Sequence, residues 1–326
     1  RFFYQSAALS LIHLIQNHQE ETQMSKKLAA LFLAVLMAFS MTSAFAENAS
    51  ATVTDMYGRE ITLSEPATRI VALTPSDCEI LCAIGCEDAL VGRGKYCDYP
   101  ESISALPVVQ SGAETNIEEI LALDPQVVLM SDMSQTEEQA KLLEQNGVKV
   151  VISDANDIAG VYTAIRMIGA LMAKDDAAEA LIGDMQATFD EIAAKSEKSG
   201  KTIYFEVSPL QWGLWTAGSG TFMDELATMC GVTNAFADIS GWQSVSEEQV
   251  IERSPDYIVS IAGMGDTAVE EIMGRDGWGD IGAVKNGRVY NADSNAISRP
   301  GPRLKDAAIE LYHFLNDDEA EEAPAA

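Results

Sequence analysis

The hydrophobic positions of this chain fall into two kinds of run. Short stretches rich in Val, Ile and Leu, without alternation, occur at Ile70–Leu73, Val127–Met130, Val148–Ile152, Ile203–Val207, Tyr257–Ile261 and Val289–Tyr290. Apolar runs of that length without alternation predict parallel strands covered on both faces, whereas alternation would predict one wet face. Between them, apolar residues recur every three or four positions. That period predicts helices at Cys78–Ile84, Ile117–Leu123, Thr136–Asn146, Val161–Met172, Phe222–Met229, Glu247–Arg253 and Pro302–Leu315. Strands alternating with helices place the chain in the α/β class.

A longer helical stretch, 175–199, separates two sets of strands. It holds one Gly and no Pro, and Ala178, Leu181, Ile182, Met185, Phe189 and Ile192 repeat at three and four. At 1.5 Å per residue it would span about 37 Å, enough to connect two lobes. An internal repeat supports two lobes. The segment from Asn116 through Pro125 to Val128 recurs from Ser246 through Pro255 to Ile258, each reading as a capped short helix, a Pro stop and a buried strand. Ile70 to Pro75 is echoed by Tyr204 to Pro209, and Gly147 to Val151 by Gly287 to Tyr290. We therefore expect two Rossmann-like lobes with parallel sheets, at 52–173 and 200–316, joined by a connecting helix at 174–199. An acidic, disordered tail is expected at 317–326.

Before the first lobe, Met24 is followed by Lys26 and Lys27, an apolar run from Leu28 to Phe39, and Ala44-Phe45-Ala46. This is the pattern of a cleaved signal peptide at 24–46, its apolar run too short for a bilayer span. Residues 1–23 then read as a non-native upstream extension. The expected location is the periplasm or the outer face of the cell membrane, without a lipid-anchoring Cys near the cleavage point.

A formal charge of −29 argues against a nucleic-acid partner, which would need a basic footprint. Five Cys are present; Cys78, Cys82 and Cys86 fall on one face of the predicted helix and read as small buried residues rather than metal ligands. Of three His, only His313 follows the signal segment, so no His set for zinc or haem is available and no resident cofactor or metal is expected. With no His base, no Gly-x-Ser-x-Gly elbow and no phosphate-binding loop of the Walker type, an enzyme is disfavoured against a binding protein.

Ligands of open α/β sheets bind beyond the carboxyl ends of the strands. The loops there carry Tyr96, Tyr99, Trp212, Trp215, Trp242, Arg299 and Arg303. Any one Trp is as consistent with core packing, but three in loops suit a large, flat or amphipathic small molecule. Arg303 falls in a first helical turn, where the macrodipole disfavours a cation, and so requires a partner.

The Tyr96-Cys-Asp-Tyr-Pro100 turn, the Asn116–Val128 segment, Trp242 to Val250, and Ser298-Arg-Pro-Gly-Pro-Arg303 together resemble the substrate-binding proteins of ABC importers for vitamin B12, iron-siderophores and haem. The resemblance spans about 52–315. It implies a monomer that captures its ligand between the lobes, moves little on binding, and delivers the ligand to a membrane permease. The Tyr96 turn looks most like the cobalamin-binding branch. On that resemblance Tyr96, Trp242 and Arg299 contact a corrinoid, cobalamin or a precursor, with Ser76 and Trp215 nearby. Glu118 and Glu248 match the family's acids, one per lobe, that dock on the permease. A Trp of that branch is replaced at or beside Gly112, which opens the first-lobe wall and leaves an iron-siderophore or haem as the alternative cargo. An enzyme, or a sensor that never meets a permease, is the rival reading.

Overall fold

Each of the short apolar runs becomes a strand inside a parallel sheet. A computed structural model describes residues 51–131 and 135–321, with backbone only beyond Asn316. In the first lobe β1 (Ala51–Thr54) and β2 (Glu60–Leu63) form an antiparallel hairpin. β3 (Ile70–Ala72), β4 (Leu90–Gly94), β5 (Val108–Val109), β6 (Val127–Met130) and β7 (Lys149–Ile152) form a five-stranded sheet in the order β5-β4-β3-β6-β7. In the second lobe β8 (Thr202–Glu206), β10 (Thr233–Asn234), β12 (Tyr257–Ser260) and β13 (Val289–Asn291) are ordered β10-β8-β12-β13. A separate ribbon pairs β9 (Trp215–Ala217) with β11 (Trp242–Ser244), antiparallel.

The helices are α1 (Pro75–Ala83), α2 (Ile117–Ala122), α3 (Glu137–Gln145), α4 (Ile158–Leu171), α5 (Asp175–Lys195), α6 (Phe222–Met229), α7 (Glu247–Arg253), α8 (Ala268–Met273), α9 (Gly282–Lys285), α10 (Ser294–Ile297) and α11 (Leu304–Glu321). Among the described residues, no helix is long and apolar enough to cross a membrane.

The repeat is realised in three dimensions. β3, β6 and β7 are neighbours in the first sheet as β8, β12 and β13 are in the second. Asn116 caps α2 by accepting from Glu119 N, and Ser246 caps α7 by accepting from Gln249 N. Both helices then end on a left-handed residue before a Pro, Asp124 at φ 48° and Ser254 at φ 40°. A side chain tolerates that conformation only at a cost, which the Pro stop and the following buried strand offset.

Alternate strand residues feed different cores. Ile70, Ala72, Val127 and Leu129 face one cluster, while Val71, Val128 and Met130 face another. The first cluster continues through Ala178, Ile182, Met185, Phe189 and Ile192 of α5 to Ile203, Phe205, Tyr257 and Val259 of the second sheet. One apolar core therefore runs from lobe to lobe through the connector, so any hinge motion would have to shear packed side chains.

Several boundaries depart from expectation. The connector ends at Lys195 rather than 199, about 31 Å long. Past Ile192 no residue through Lys198 is buried, and the Ser196 hydroxyl donates to Ile192 O, competing with another helical turn. Cys86 is not on the helix of Cys78 and Cys82. α1 stops at Ala83 because Gly85 turns left-handed, with Cys86 N donating to Leu81 O and Gly85 N to Cys82 O. All five Cys are unbridged, and all but the half-buried Cys82 are buried. At the other end α11 continues to Glu321, so the expected tail is helical that far. The signal-peptide reading at 24–46 and the upstream extension at 1–23 lie outside the described residues.

Candidate ligand cleft between the lobes

Three first-lobe strands and three second-lobe segments converge on one cavity. β3 delivers Thr74, Pro75 and Ser76, β6 delivers Ser131, and β7 delivers Ser153 to Asn156; opposite them stand Phe222, Trp242 and Ser298 to Pro300. The volume is about 180 Å³, below the roughly 300–1,000 Å³ of sites that enclose a drug-sized ligand. It is thus the floor of a cleft.

Of the aromatic residues expected at the site, Trp242 lines this floor, whereas Tyr96, Trp212 and Trp215 are not among the residues that line it. The Trp242 ring packs against Phe222 at 5.5 Å between centroids, tilted by 59°. In the ribbon Trp242 pairs with Ala217 and Ser244 with Trp215, which puts Trp242 and Trp215 on the same face. Trp215, Trp212 and Tyr96 are exposed, Tyr96 by 64%, with the Lys95 amine 5.4 Å over its ring. Ser76 lines the cavity and is buried. Trp278, by contrast, is a core residue, its indole donating to Glu247 Oε2 at 3.0 Å and its ring covered by Arg275 at 4.4 Å.

Arg299 lines the cavity, but its terminal nitrogens already have partners. Nη1 donates to Glu79 Oε1 at 3.2 Å and Asp98 Oδ1 at 2.6 Å; Nη2 donates to Tyr96 O at 3.1 Å and Asn295 Oδ1 at 2.8 Å. The partner that Arg303 requires is the same Glu79, reached at 3.1 and 2.7 Å, and its guanidinium also covers the Tyr99 ring at 4.3 Å. Glu79, 2% exposed at its side chain, thus holds two cations from the opposite lobe. Arg299 in turn keeps the Asp98 carboxyl below the usual carboxylate range. The Tyr96–Pro100 turn is, in three dimensions, a socket for these two arginines.

Sequence reasoning passed over Glu79. Its signal was a lone acid within the apolar stretch Cys78 to Ile84. Further inter-lobe bonds flank the cavity, from Phe222 N to Asn156 O at 2.8 Å and from Ile158 N to Glu225 Oε2 at 2.7 Å.

Glu118 and Glu248 stand apart from the cavity. Each is exposed at the second position of its helix, α2 or α7, where a negative charge suits the helix N-terminus. The Glu248 carboxylate is held below its ordinary range by its own backbone N–H and the Ser246 hydroxyl.

A family model described as periplasmic binding protein matches residues 70–296. An uncharacterized ABC transporter substrate-binding lipoprotein of Bacillus subtilis is 33% identical over 274 residues, covering 82% of this chain and 86% of the relative. A vitamin B12-binding protein of Salmonella choleraesuis is 30% identical over 255 residues, covering 77% and 91%. Among solved structures, a possible iron-binding (periplasmic solute-binding) protein of Staphylococcus epidermidis superposes with a TM-score of 0.66 at 31% identity, covering 76% of this chain and 98% of its own.

Proposed function

The chain belongs to the periplasmic binding protein family, and from that premise we propose that it is exported, captures a corrinoid in the inter-lobe cleft and delivers it to an ABC permease. The observation that carries this reading is the cavity floor shared by both lobes with Trp242 in its wall and Trp215 on the same ribbon face. Aromatic faces beside hydroxyl and amide groups suit a broad, partly apolar ligand with a polar rim. A relative named for vitamin B12 binding supports the same cargo. Glu118 and Glu248, exposed and one per lobe, provide the permease contacts in this reading.

Cyanocobalamin titrated into the purified protein is expected to quench Trp emission to saturation at one ligand per chain, and the ligand is recovered unchanged. Trp242→Ala is expected to weaken binding by about 2 kcal/mol, roughly thirtyfold, as for a buried aromatic anchor. Neither quenching nor heat with any corrinoid, together with saturable binding of a ferric siderophore, would sink the corrinoid assignment. Two observations favour that second cargo: a floor of about 180 Å³ is small for a corrin ring, and the Staphylococcus epidermidis relative is described as a possible iron-binding protein.

A further inference from the structure

Behind the first-lobe wall of the cleft lies an acid with no solvent contact. Asp77, the third residue of α1, is completely buried. Its Oδ2 accepts from Thr74 Oγ1, the Ser153 hydroxyl approaches the carboxyl, and Oδ1 closes no hydrogen bond. Burial, reinforced by the neighbouring Asp154 carboxylate, raises its pKa from 3.8 to about 7 against the lowering effect of the two hydroxyls. Thr74, Ser153 and Asp154 all line the cavity. Arg299, the one cation among the lining residues, has both terminal nitrogens taken by Glu79, Asp98, Tyr96 O and Asn295.

Hydroxyl chemistry then sets the polarity of the floor. A hydroxyl that donates to a carboxylate behind it offers only lone pairs to the cleft. A neutral carboxyl instead donates its own proton to one hydroxyl, whose proton is released to point at the ligand. A carboxylate edge on a ligand would meet lone pairs and the charges of Asp77 and Asp154. An amide edge carries both N–H and C=O, and finds a partner in either state.

We propose that Asp77 is a positioning residue that, through the hydroxyls of Thr74 and Ser153, makes the first-lobe floor select an uncharged amide edge of the ligand over a carboxylate edge. The inference rests on the reading that the ligand occupies this cleft; it does not require the ligand to be a corrinoid.

The test compares cyanocobalamin with its monocarboxylic acid, in which one peripheral amide is hydrolysed, between about pH 5.5 and about pH 8.5, either side of the neutral range. In the wild type the preference for the amide probe is expected to grow with pH by roughly three- to tenfold, the worth of one hydrogen bond. Asp77→Asn, which mimics the neutral carboxyl, holds the preference at its low-pH level throughout. Thr74→Val, which keeps the acid and removes one relay, reduces the swing.

A ligand-free readout runs alongside. A carboxyl whose folded pKa is raised stabilises the fold relative to its ionised form below the unfolded pKa, and that contribution is lost as pH rises through the folded value. Relative to Asp77→Asn, the wild type therefore loses stability between about pH 4 and about pH 7. A pH-independent preference in the wild type, or a swing that survives in Asp77→Asn, overturns the proposal. If neither corrinoid binds, the corrinoid reading fails by itself, and a neutral ferric hydroxamate against haemin, whose propionates are carboxylates, replaces the pair; tighter binding of haemin at high pH overturns the proposal.

Discussion

Reversing the charge of both acids proposed to meet the permease, Glu118→Arg with Glu248→Arg, is expected to abolish uptake of the ligand while leaving its affinity for the purified protein within about twofold, since neither residue touches the cleft. The two acids occupy the same second position of equivalent helices, behind the caps Asn116 and Ser246, and both are exposed. A binding protein that meets its permease through one acid per lobe engages by two linked contacts, each raising the effective concentration of the other. Placing like charges in both contacts costs several kcal/mol at each, which together exceeds a thousandfold in uptake at limiting concentration. Single reversals are expected to fall between, and Glu→Gln at both sites to be milder, because it removes attraction without adding repulsion. Labelled-ligand uptake by cells or by permease vesicles measures the effect, and calorimetry measures affinity. Normal uptake by the double variant would dismiss the docking role; a matching loss of affinity would instead assign these acids to the site or the fold.

Removing the acid at the lobe junction should act on stability instead. Glu79→Ala is expected to lower the unfolding free energy by about 3 kcal/mol, because breaking a buried ion pair from one side strands its partners. Arg299 and Arg303 are 11% and 13% exposed at their side chains, and Glu79 accepts three of their hydrogen bonds. Asp98 remains for Arg299, and Asp293, at 3.6 Å, remains for Arg303, which keeps the figure at the low end of the roughly 3–5 kcal/mol range. Glu79→Gln retains the shape and one acceptor, and should cost about half as much. Urea unfolding gives the number, and the shared core predicts a single transition rather than one per lobe. A loss under about 1 kcal/mol would mean that Asp98 and Asp293 carry the arginines without Glu79.

How much of this was legible in the sequence depends on the range over which each feature is encoded. The strands at 70, 127, 149, 202 and 257 announced themselves because both faces are buried, so apolar residues dominate each run without alternating with polar ones. β4 did not: Leu90-Val-Gly-Arg-Gly carries two glycines and a cation, and reads as a loop. It is a strand because the backbone lies so close to its neighbour that a Cβ on Gly94 would come within 2.4 Å of Leu73 O, a constraint that exists only once β3 is in place. The β9–β11 ribbon was invisible for the same reason. Its partners lie more than 20 residues apart, and Trp215 and Trp242 face one way only through that pairing.

The candidate site divides similarly. Tyr96, Trp215, Trp242 and Arg299 were legible as unusual residues at strand ends, and the structure brings Trp242 and Arg299 to the cavity wall. The hydrogen bonds that tie up Arg299, reaching 220 residues back to Glu79, were not legible.

By itself the sequence determined the α/β class, the two repeated lobes and the caps that place Glu118 and Glu248 alike, whereas Trp215 and Trp242, expected in loops, lie on the paired strands β9 and β11. The class, lobes and caps rest on periodicity, capping and repetition within a dozen or so residues, where the chain's own geometry dictates the outcome. The tertiary structure alone decided that the Tyr96 turn is a socket for two arginines, that Cys86 leaves the face of Cys78, and that Asp77 is sealed behind the cleft floor. Pairing and desolvation depend on which distant residues exclude water from one another, and that is settled only when the lobes are packed.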